Sequence, residues 1–283
     1  MRNKEPLISI ITVVFNGEKY LEQTIKSVLA QTYHNVEYLI IDGDSTDGTI
    51  PIIKKYESQI TNWISEPDSG IFDAMNKGIS RASGNLINLL NADDFLEPYA
   101  LEMVAEKYGS IDQPCVIYGH ASALDDKNQV AAEMYSHPKY WRGMTINHQT
   151  MFVHKEVYQS VGLYDTRFRF AADYDFLVRT FEQQVPYFRI DKVIVHYRIS
   201  GQSTGNPETV KESNIINKHY FGKSLERQKF LVYNYLWQPL KFSFRATLYR
   251  IFGAKRSRKI MSLYKNWVQK PRLPGKNGSV SGD

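Results

Sequence analysis

Apolar runs and amphipathic segments alternate along the first ninety or so residues of the chain. The run 7–15 is rich in Ile and Val, as expected of a strand that is buried on both faces. Apolar residues then recur at helical spacing from Tyr20 to Leu29. The alternation continues through a predicted strand at 36–42, helix at 50–56, strand at 62–66, helix at 71–82 and strand at 85–91. This order predicts an α/β fold, with a parallel sheet between helices.

Acidic residues stand where two of these strands end. Asp42 closes the second predicted strand, and Asp93 and Asp94 follow the fourth. Ligands of parallel α/β sheets bind beyond the carboxyl ends of the strands. The three acids therefore mark the predicted binding edge of the sheet.

The loop 42–48 is acidic and small, which is typical of a turn that leads into a helix. One of Ser45, Thr46 or Asp47 is expected to cap the helix that follows. An EF-hand calcium loop is excluded, because Thr46 and Ile53 stand where such a loop needs acids.

The Asp93-Asp94 pair allows two interpretations. The two acids could begin a helix, with Pro98 in or near its first turn, since a helix N-terminus favours negative charge. Alternatively, they could hold a hard divalent cation, Mg²⁺ or Mn²⁺, together with the phosphates of a nucleotide diphosphate. The chain has neither a Gly-x-Gly-x-x-Gly fingerprint nor a Walker A sequence, so any phosphates are expected to be held through a metal.

The composition is that of a globular protein. The 283 residues are 42% hydrophobic and 23% charged, which excludes a disordered, collagen-like or coiled-coil chain. The single cysteine, Cys115, cannot form an internal disulfide, which favours a reducing compartment. No apolar run reaches the roughly 18 residues of a spanning helix, and no small-residue cleavage site follows the charged start. We expect a cytoplasmic protein without a signal peptide.

The net charge of +5 conceals an asymmetry between two parts of the chain. Residues 1–226 hold 22 Lys and Arg against 29 Asp and Glu, a net charge of −7, whereas residues 227–283 hold 13 against one, a net charge of +12. This break predicts a domain boundary near residue 226. The predicted parts are a domain at 1–226, a basic helical tail at 227–274 and a disordered Gly/Ser-rich end at 275–283.

The tail has the pattern of a basic amphipathic helix. Its apolar and aromatic positions between Leu240 and Phe252 share one helical face, and a basic cluster follows at 255–259. This pattern predicts a helix that lies on an anionic membrane surface. The same helix could instead pack on the first domain with a solvated basic face. Nucleic acid is not an expected partner, since the acidic first domain would repel its backbone.

The order of motifs resembles glycosyltransferase family 2, the inverting enzymes of the GT-A fold. The resemblance spans roughly residues 7–200 and rests on six segments in the family's order: 9–17 (SIITVVFNG), 27–33 (SVLAQTY), 41–48 (IDGDSTDG), 66–70 (EPDSG), 91–94 (NADD) and 172–175 (ADYD). It implies a mixed, mostly parallel sheet flanked by helices. It also implies a nucleotide-sugar half at about 1–110 and an acceptor half at about 111–226.

The resemblance assigns roles to individual residues. It places Asp94 as ligand of a divalent metal (Mg²⁺ or Mn²⁺), Asp93 at the ribose and Asp173 as the general base. It places the remaining donor contacts at the base and in the nucleotide pocket: Thr12, Val14, Phe15, Asp42, Asp68 and Lys77. Two positions depart from the family, since Asn91 and Gly43 stand where acids are common.

Two further candidates come from the same resemblance, His148 near the acceptor and His196 as a third metal ligand. The aromatic side chains of Trp141 and Tyr140 could in addition stack on the face of a sugar. Each has a plainer explanation, because buried histidines are commonly structural and Trp141 could simply pack. Asp173 is preferred to Asp175 as the base, although either acid could begin the helix that follows.

Two functions remain open. The first is an inverting glycosyltransferase that moves a sugar from a nucleotide-diphosphate donor, with UDP-sugar favoured, to a glycan or lipid-linked acceptor in surface polysaccharide synthesis. Such an enzyme would work at the inner face of the cell membrane. The second is a membrane-associated protein that binds nucleotide sugars or glycans without turnover. The acids Asp42, Asp93, Asp94 and Asp173 together favour the enzyme, because a binding protein has no need of Asp173.

Overall fold

The protein was analysed as a computed structural model that describes residues 5–125, 128–134, 136, 144–198 and 206–222. Its strands are β1 (Ile8–Val14), β2 (Val36–Asp42), β3 (Asn62–Ser65), β4 (Leu86–Asn91), β5 (Phe95–Leu96), β6 (Val116–Leu124), β7 (Val130–Met134), β8 (Met151–His154) and β9 (Tyr187–Arg198). Its helices are α1 (Leu21–Leu29), α2 (Thr49–Lys55), α3 (Ile71–Arg81), α4 (Ala100–Tyr108), α5 (Lys155–Val161), α6 (Ala172–Glu182) and α7 (Pro207–Phe221). The elements predicted up to residue 91 are all present.

The strands of the described residues form one mixed sheet. Their order is β3-β2-β1-β4-β8-β6-β9-β5, and β7 pairs with the outer part of β6. The first four strands are mutually parallel, β8 runs antiparallel between β4 and β6, and β6 and β9 are parallel again. This arrangement confirms the predicted α/β class and mixed sheet.

Two apolar clusters cover the two faces of this sheet. Alternate residues of β1 supply both clusters, since Ile8 and Ile10 belong to one and Ile11 and Val13 to the other. All seven residues of β1 are buried. A strand buried on both faces can be apolar throughout, which explains the continuous run that predicts it.

Two predictions about helix starts were wrong. Gly48, and none of the three candidate side chains, is the N-cap of α2, although Asp47 still accepts a hydrogen bond from the backbone N–H of Thr49 (3.0 Å). No helix begins at Asp93-Asp94, because the short strand β5 follows the pair and α4 begins only at Ala100. The helix interpretation of these two acids is therefore excluded.

The strand register lines up the predicted binding edge. Val14 lies opposite Asp42, and Val13 lies opposite Asn91, so β1, β2 and β4 end side by side. No helix of the described residues is long and apolar enough to cross a membrane. The predicted tail at 227–274, the end at 275–283 and Trp141 lie outside the described residues.

Helix α3 approaches the sheet closely at Gly78. A Cβ atom at this position would lie 2.4 Å from Cγ2 of Ile11 and 3.2 Å from Cγ1 of Ile41. We expect Gly78→Ala to lower the free energy of unfolding by about 1–2 kcal/mol, because overpacking costs about 1–3 kcal/mol and outweighs the roughly 1 kcal/mol gain in helix propensity. Thermal unfolding followed by circular dichroism measures the change. Ser80→Ala, at an exposed site of the same helix, is the control, and equal melting temperatures for both variants would contradict the close packing.

Candidate active site

Asp42 is the last residue of β2, and its buried carboxylate has one oxygen without a hydrogen-bond partner among the described residues. Its Oδ2 atom accepts hydrogen bonds from the backbone N–H of Ser45 (3.0 Å) and from the Ser65 hydroxyl (2.7 Å). Its Oδ1 atom is equally buried and has no hydrogen-bond partner among the described residues. Buried polar atoms are nearly always satisfied, so Oδ1 is a candidate acceptor for a bound donor group.

Gly43 stands where the resemblance predicts an acid, and its missing side chain leaves room for the Asp68 carboxylate. A Cβ atom on Gly43 would lie 2.4 Å from Oδ2 of Asp68 and 3.5 Å from the ring of Phe15. The Asp68 carboxylate thus occupies the space of a side chain at position 43, and its Oδ1 atom accepts a hydrogen bond from Gly70 N–H (2.8 Å). Phe15 is 65% exposed and presents its ring beside this group.

The other predicted donor contacts have structural partners. The Thr12 hydroxyl is fully buried against the Tyr38 hydroxyl (3.1 Å), and the Val14 side chain packs in the core. Val14 contributes only its backbone carbonyl, which accepts a hydrogen bond from Gly43 N–H (2.9 Å). The Lys77 ammonium donates to the Pro67 carbonyl (2.7 Å) and so holds the segment that carries Asp68.

Asp94 is buried at the junction of three segments. Its Oδ2 atom accepts a hydrogen bond from the Gln149 amide (2.7 Å), and its Oδ1 atom accepts one from the backbone N–H of Arg198 (3.1 Å). Burial raises the pKa of Asp94 well above its ordinary value, and the neighbouring charge of Asp93 raises it further. Each oxygen of Asp94 thus accepts one hydrogen bond from the protein, and the role of Asp94 as a metal ligand stays a prediction.

Asp93 is the more accessible acid of the pair. Burial raises the pKa of its carboxyl group, whereas the nearby charges of Arg198 and His148 oppose the rise. The Arg198 guanidinium donates to the backbone carbonyl of Asp93 and to the Gln23 side chain (2.7 Å). It also stacks over the ring of Tyr20 at 3.9 Å. The turn that carries Asp93 is thus fixed by its backbone, while its side chain is only partly buried.

Asp173 lies in the first turn of α6, next to His148. Its Oδ2 atom is 3.5 Å from Nδ1 of His148, and its Oδ1 atom accepts a hydrogen bond from the N–H of Tyr174 (2.7 Å). The second nitrogen of His148, Nε2, is buried without a hydrogen-bond partner among the described residues. The imidazole can therefore hold Asp173 with one nitrogen and offer the other to a bound molecule.

Asp175, the alternative to Asp173, has a structural role. Its Oδ2 atom accepts a hydrogen bond from the Arg179 guanidinium (2.8 Å), and its Oδ1 atom accepts one from the Tyr220 hydroxyl (3.2 Å). The Asp175 side chain is 4% exposed, whereas the Asp173 side chain is 18% exposed. Asp173 is therefore the more accessible of the two acids.

Comparison with known proteins identifies the chain. The model of the family described as Glycosyl transferase family 2 matches residues 9–158, more than half of the chain. This chain belongs to glycosyltransferase family 2. An uncharacterized glycosyltransferase of Mycobacterium tuberculosis is 34% identical over 179 residues, which cover 62% of this glycosyltransferase and 68% of the relative. The hyaluronan synthase of Pasteurella multocida is 28% identical over 244 residues, which cover 82% of this chain but 24% of the synthase.

Two solved glycosyltransferase structures share the fold of this one. S. aureus TarS (residues 1–349, in complex with UDP) is 16% identical with a TM-score of 0.63, and the match covers 89% of this chain and 76% of that one. The mannosyltransferase PcManGT of Pyrobaculum calidifontis, in complex with GDP-Man and Mn²⁺, is 14% identical with a TM-score of 0.58. The match to PcManGT covers 94% of this chain and 81% of that one. The predicted GT-A type of sheet is confirmed by this likeness.

His196 lies on β9 opposite Phe95, the residue that follows Asp94. Its Nε2 atom is 2.6 Å from Oε1 of Glu97, and its ring stacks on Phe95 with the centroids 4.7 Å apart. Both contacts join β9 to the β5 segment. The Nδ1 atom of His196 is buried without a partner among the described residues, and its role as a third metal ligand stays a prediction.

The residues beside Asp93 suit a hard cation with few protein ligands. Within the described residues no three His, Cys, Asp or Glu side chains converge as a ligand set. The Oδ1 atom of Asn91 is, however, buried without a partner in this part of the chain, two positions before the accessible Asp93. Mg²⁺ and similar ions are commonly held by one or two protein oxygens together with substrate phosphates and water. An amide oxygen and a carboxylate are adequate for that mode of binding.

Gln149 and Arg198 were not predicted as parts of the site, yet they organise it. Asn88, buried in β4, donates to the carbonyls of Gln149 (2.8 Å) and Met151 (2.9 Å), and so fixes the 3₁₀ turn His148–Thr150. The sequence offers one signal for this turn, the polar run 147–150 immediately before an apolar strand. Nothing local in the sequence indicates that Arg198 reaches the Asp93-Asp94 turn.

A cavity elsewhere in the glycosyltransferase contains none of the predicted site residues. It measures about 390 Å³ and lies at the amino end of β4, near Asn85, Tyr108, His154 and Lys155. Donor binding is expected at the opposite, carboxyl edge of the sheet, where the buried unsatisfied atoms collect.

The raised pKa of Asp94 predicts how the stability of the fold changes with pH. Charged Asp94 destabilises the fold above its folded-state pKa, and this penalty disappears as the pH falls and the carboxyl group takes up a proton. We expect the free energy of unfolding of Asp94→Asn, relative to the wild type, to rise between pH 4 and pH 8, because the wild type alone loses stability as Asp94 becomes charged. Urea denaturation across this range measures the difference.

Asp165 is the matched control for this experiment. Its hydrogen bonds from Arg167 lower its pKa, so its charged form stabilises the fold and this contribution is lost at low pH. The relative stability of Asp165→Asn should therefore fall slightly with rising pH. Slopes of the same sign for the two variants would contradict the burial of a destabilising charge at Asp94.

Proposed function

We propose that this glycosyltransferase moves a sugar from a UDP-sugar to a glycan hydroxyl with inversion at the anomeric carbon, and that Asp173 is the general base. The observation that carries the proposal is the contact between Asp173 and His148, 3.5 Å apart, beside the Asp93-Asp94 turn. His148 acts electrostatically on Asp93 and contacts Asp173, so it lies between the donor acids and the base. A site that only bound a nucleotide sugar would have no use for an accessible carboxylate at the acceptor side.

The nucleotide base is proposed to lie at the end of β2. The unsatisfied Oδ1 atom of Asp42 can accept a hydrogen bond from a ring N–H, which uracil supplies. The exposed Phe15 ring offers a face for stacking on the base. This pair favours a UDP-sugar donor, and S. aureus TarS, which has the same fold, was crystallised with UDP.

The diphosphate is proposed to bind beside Asp93 and Asn91, through Mg²⁺ or Mn²⁺. The cation would stabilise the negative charge that develops on the departing nucleotide diphosphate. Asp93 is the proposed carboxylate ligand, because it is less buried than Asp94. Asp94 can join it, since each of its oxygens accepts one hydrogen bond and keeps a second lone pair. Asp94 and Arg198 hold the turn in place.

The proposed reaction needs one base and no covalent enzyme intermediate. Asp173 takes the proton of the acceptor hydroxyl as its oxygen forms a bond to the anomeric carbon, and the bond from that carbon to the phosphate oxygen breaks. His148 holds the Asp173 carboxylate from one side through Nδ1. Attack opposite to the leaving group inverts the anomeric configuration.

The acceptor is proposed to be a glycan, free or lipid-linked, of a surface polysaccharide. The hyaluronan synthase of Pasteurella multocida and a chondroitin synthase of the same species are relatives whose names state polysaccharide products, although this chain spans about a quarter of each. The basic segment 227–274 is proposed to bring the enzyme to an anionic membrane surface, where a lipid-linked acceptor would lie.

A nucleotide panel tests the donor site first. Calorimetric titration with UDP, GDP, CDP and dTDP, each with Mn²⁺ and with EDTA, should show binding of UDP that depends on the metal. Release of nucleotide from UDP-glucose, UDP-N-acetylglucosamine, UDP-glucuronate and GDP-mannose then identifies the sugar. If a folded sample bound none of the four nucleotides, the proposed transferase function would be refuted.

Removal of the proposed base should separate chemistry from binding. We expect Asp173→Asn to lower the turnover number by about 10²–10⁴-fold, the usual contribution of a general base, while the Kd for UDP stays within about twofold. Steady-state kinetics and calorimetry measure the two effects. Asp175→Asn should instead lower the melting temperature, because it breaks the ion pair with Arg179. Weak UDP binding by Asp173→Asn would place this residue among the structural ones.

The proposed ligand role of Asp93 has a separate test. Asp93→Asn should weaken UDP binding by about tenfold or more in the presence of Mn²⁺, because a neutral amide is a poorer ligand for a hard cation. In EDTA the variant and the wild type should bind UDP alike. An equal loss in EDTA would show that Asp93 contacts the nucleotide directly, as in the ribose role that the sequence resemblance gives it.

A further inference from the structure

Glu212, on helix α7, binds the segment that immediately precedes the catalytic helix α6. Its Oε1 atom accepts a hydrogen bond from the backbone N–H of Arg169 (3.0 Å). Its Oε2 atom accepts hydrogen bonds from the N–H groups of Phe170 (2.8 Å) and Ala171 (2.9 Å). One carboxylate thus fixes three consecutive backbone groups just before the helix begins.

Helix α6 has no side-chain cap of its own at this end. Its N-cap residue is Ala171, which carries no hydrogen-bonding side chain, and Asp173 follows two positions later. A negative charge at the N-terminus of a helix is also favoured by the helix dipole. Glu212, on α7, therefore accepts hydrogen bonds from backbone N–H groups at the start of α6, as a local Ser, Thr or Asp side chain normally does.

Two further contacts join α7 to the first turns of α6. The Asn217 amide donates to the Tyr174 hydroxyl (2.9 Å), and the Tyr220 hydroxyl donates to Oδ1 of Asp175 (3.2 Å). The two residues that follow Asp173 along the helix are thus held by α7, and the segment before the helix is held by Glu212. The position of Asp173 relative to His148 depends on this set of contacts.

We propose that Glu212 is a positioning residue of the transfer reaction, which places Asp173 by fixing the backbone of residues 169–171. This inference rests on the proposed function, in which Asp173 is the base. The three hydrogen bonds are exposed or only partly buried, so we expect water to replace the carboxylate when it is removed and the fold to persist. The base would then sample a wider range of positions, and a misplacement of about 1 Å can lower a rate 10²-fold.

The experiment compares Glu212→Ala and Glu212→Gln with the wild type in the full chain. The probe is the nucleotide sugar of the four-donor panel that the wild type turns over fastest, with nucleotide release as the readout. We expect the turnover number to fall by about 10- to 100-fold in Glu212→Ala and by less in Glu212→Gln, which keeps one acceptor oxygen. The KM for the donor and the Kd for UDP should stay within about twofold of the wild-type values, because the donor site does not contact α7.

The control is Glu208→Gln, an exposed acid of the same helix whose ion pair partner is Lys211. It should leave turnover and UDP binding unchanged. Wild-type turnover in both Glu212 variants would overturn this inference without affecting the proposed function. A donor KM that rises by the same factor as the turnover number falls would also overturn it, because it would indicate that the donor site is disturbed as well. If Glu212→Ala does not fold, the Glu212→Gln variant decides between these outcomes. A wild-type protein that neither binds UDP nor releases nucleotide would instead overturn the proposed function.

Discussion

The active site depends on one buried carboxylate, that of Asp94. Gln149 and Arg198, its two hydrogen-bond donors, come from segments that lie far apart in the sequence, so the carboxylate ties the end of β4 to the turn before β8 and to the end of β9. The residues next to Asp94 and Gln149 in the sequence have proposed roles in the reaction. Asp93 precedes Asp94, and His148 precedes Gln149. A displacement of Asp94 would therefore move the donor acid and the partner of the base together.

The burial of this junction costs free energy, because a charged group is removed from water. Desolvation alone would disfavour the charge on Asp94, and the nearby charge of Asp93 adds to that penalty. The Arg198 guanidinium compensates from the other side of the turn, where it donates to the Asp93 carbonyl and stacks on Tyr20. Part of the cost remains, because the Nε atom of Arg198 and the Oε1 atom of Gln149 are buried without a hydrogen-bond partner among the described residues.

Local patterns in the sequence predict the first half of the fold well. The strands β1, β2 and β4 are continuous apolar runs, and the acids that end them indicate the binding edge without any tertiary information. The position of β8 between β4 and β6 is different, because an antiparallel insertion is decided by pairing between distant segments. No local period in the sequence records such a pairing.

The same distinction applies to the site residues. Asp42 and Asp173 are recognisable from their places at the end of a strand and the start of a helix. The different environments of Asp93 and Asp94 depend on Gln149 and Arg198, which donate hydrogen bonds to Asp94 and lie 55 and 104 residues away from it. The sequence also does not show that the Thr12 side chain is buried, since the pleat of β1 turns it into the core against Tyr38.

The order of strands also limits how the enzyme can open and close. Hydrogen-bonded ladders run without interruption from β3 through β1, β4 and β8 to β6 and β9, so the donor and acceptor halves share a single sheet. A hinge between the halves would have to break ladder hydrogen bonds at every turnover. Admission of the nucleotide sugar and exit of the nucleotide must therefore be gated by loops at the rim, and not by closure of two lobes.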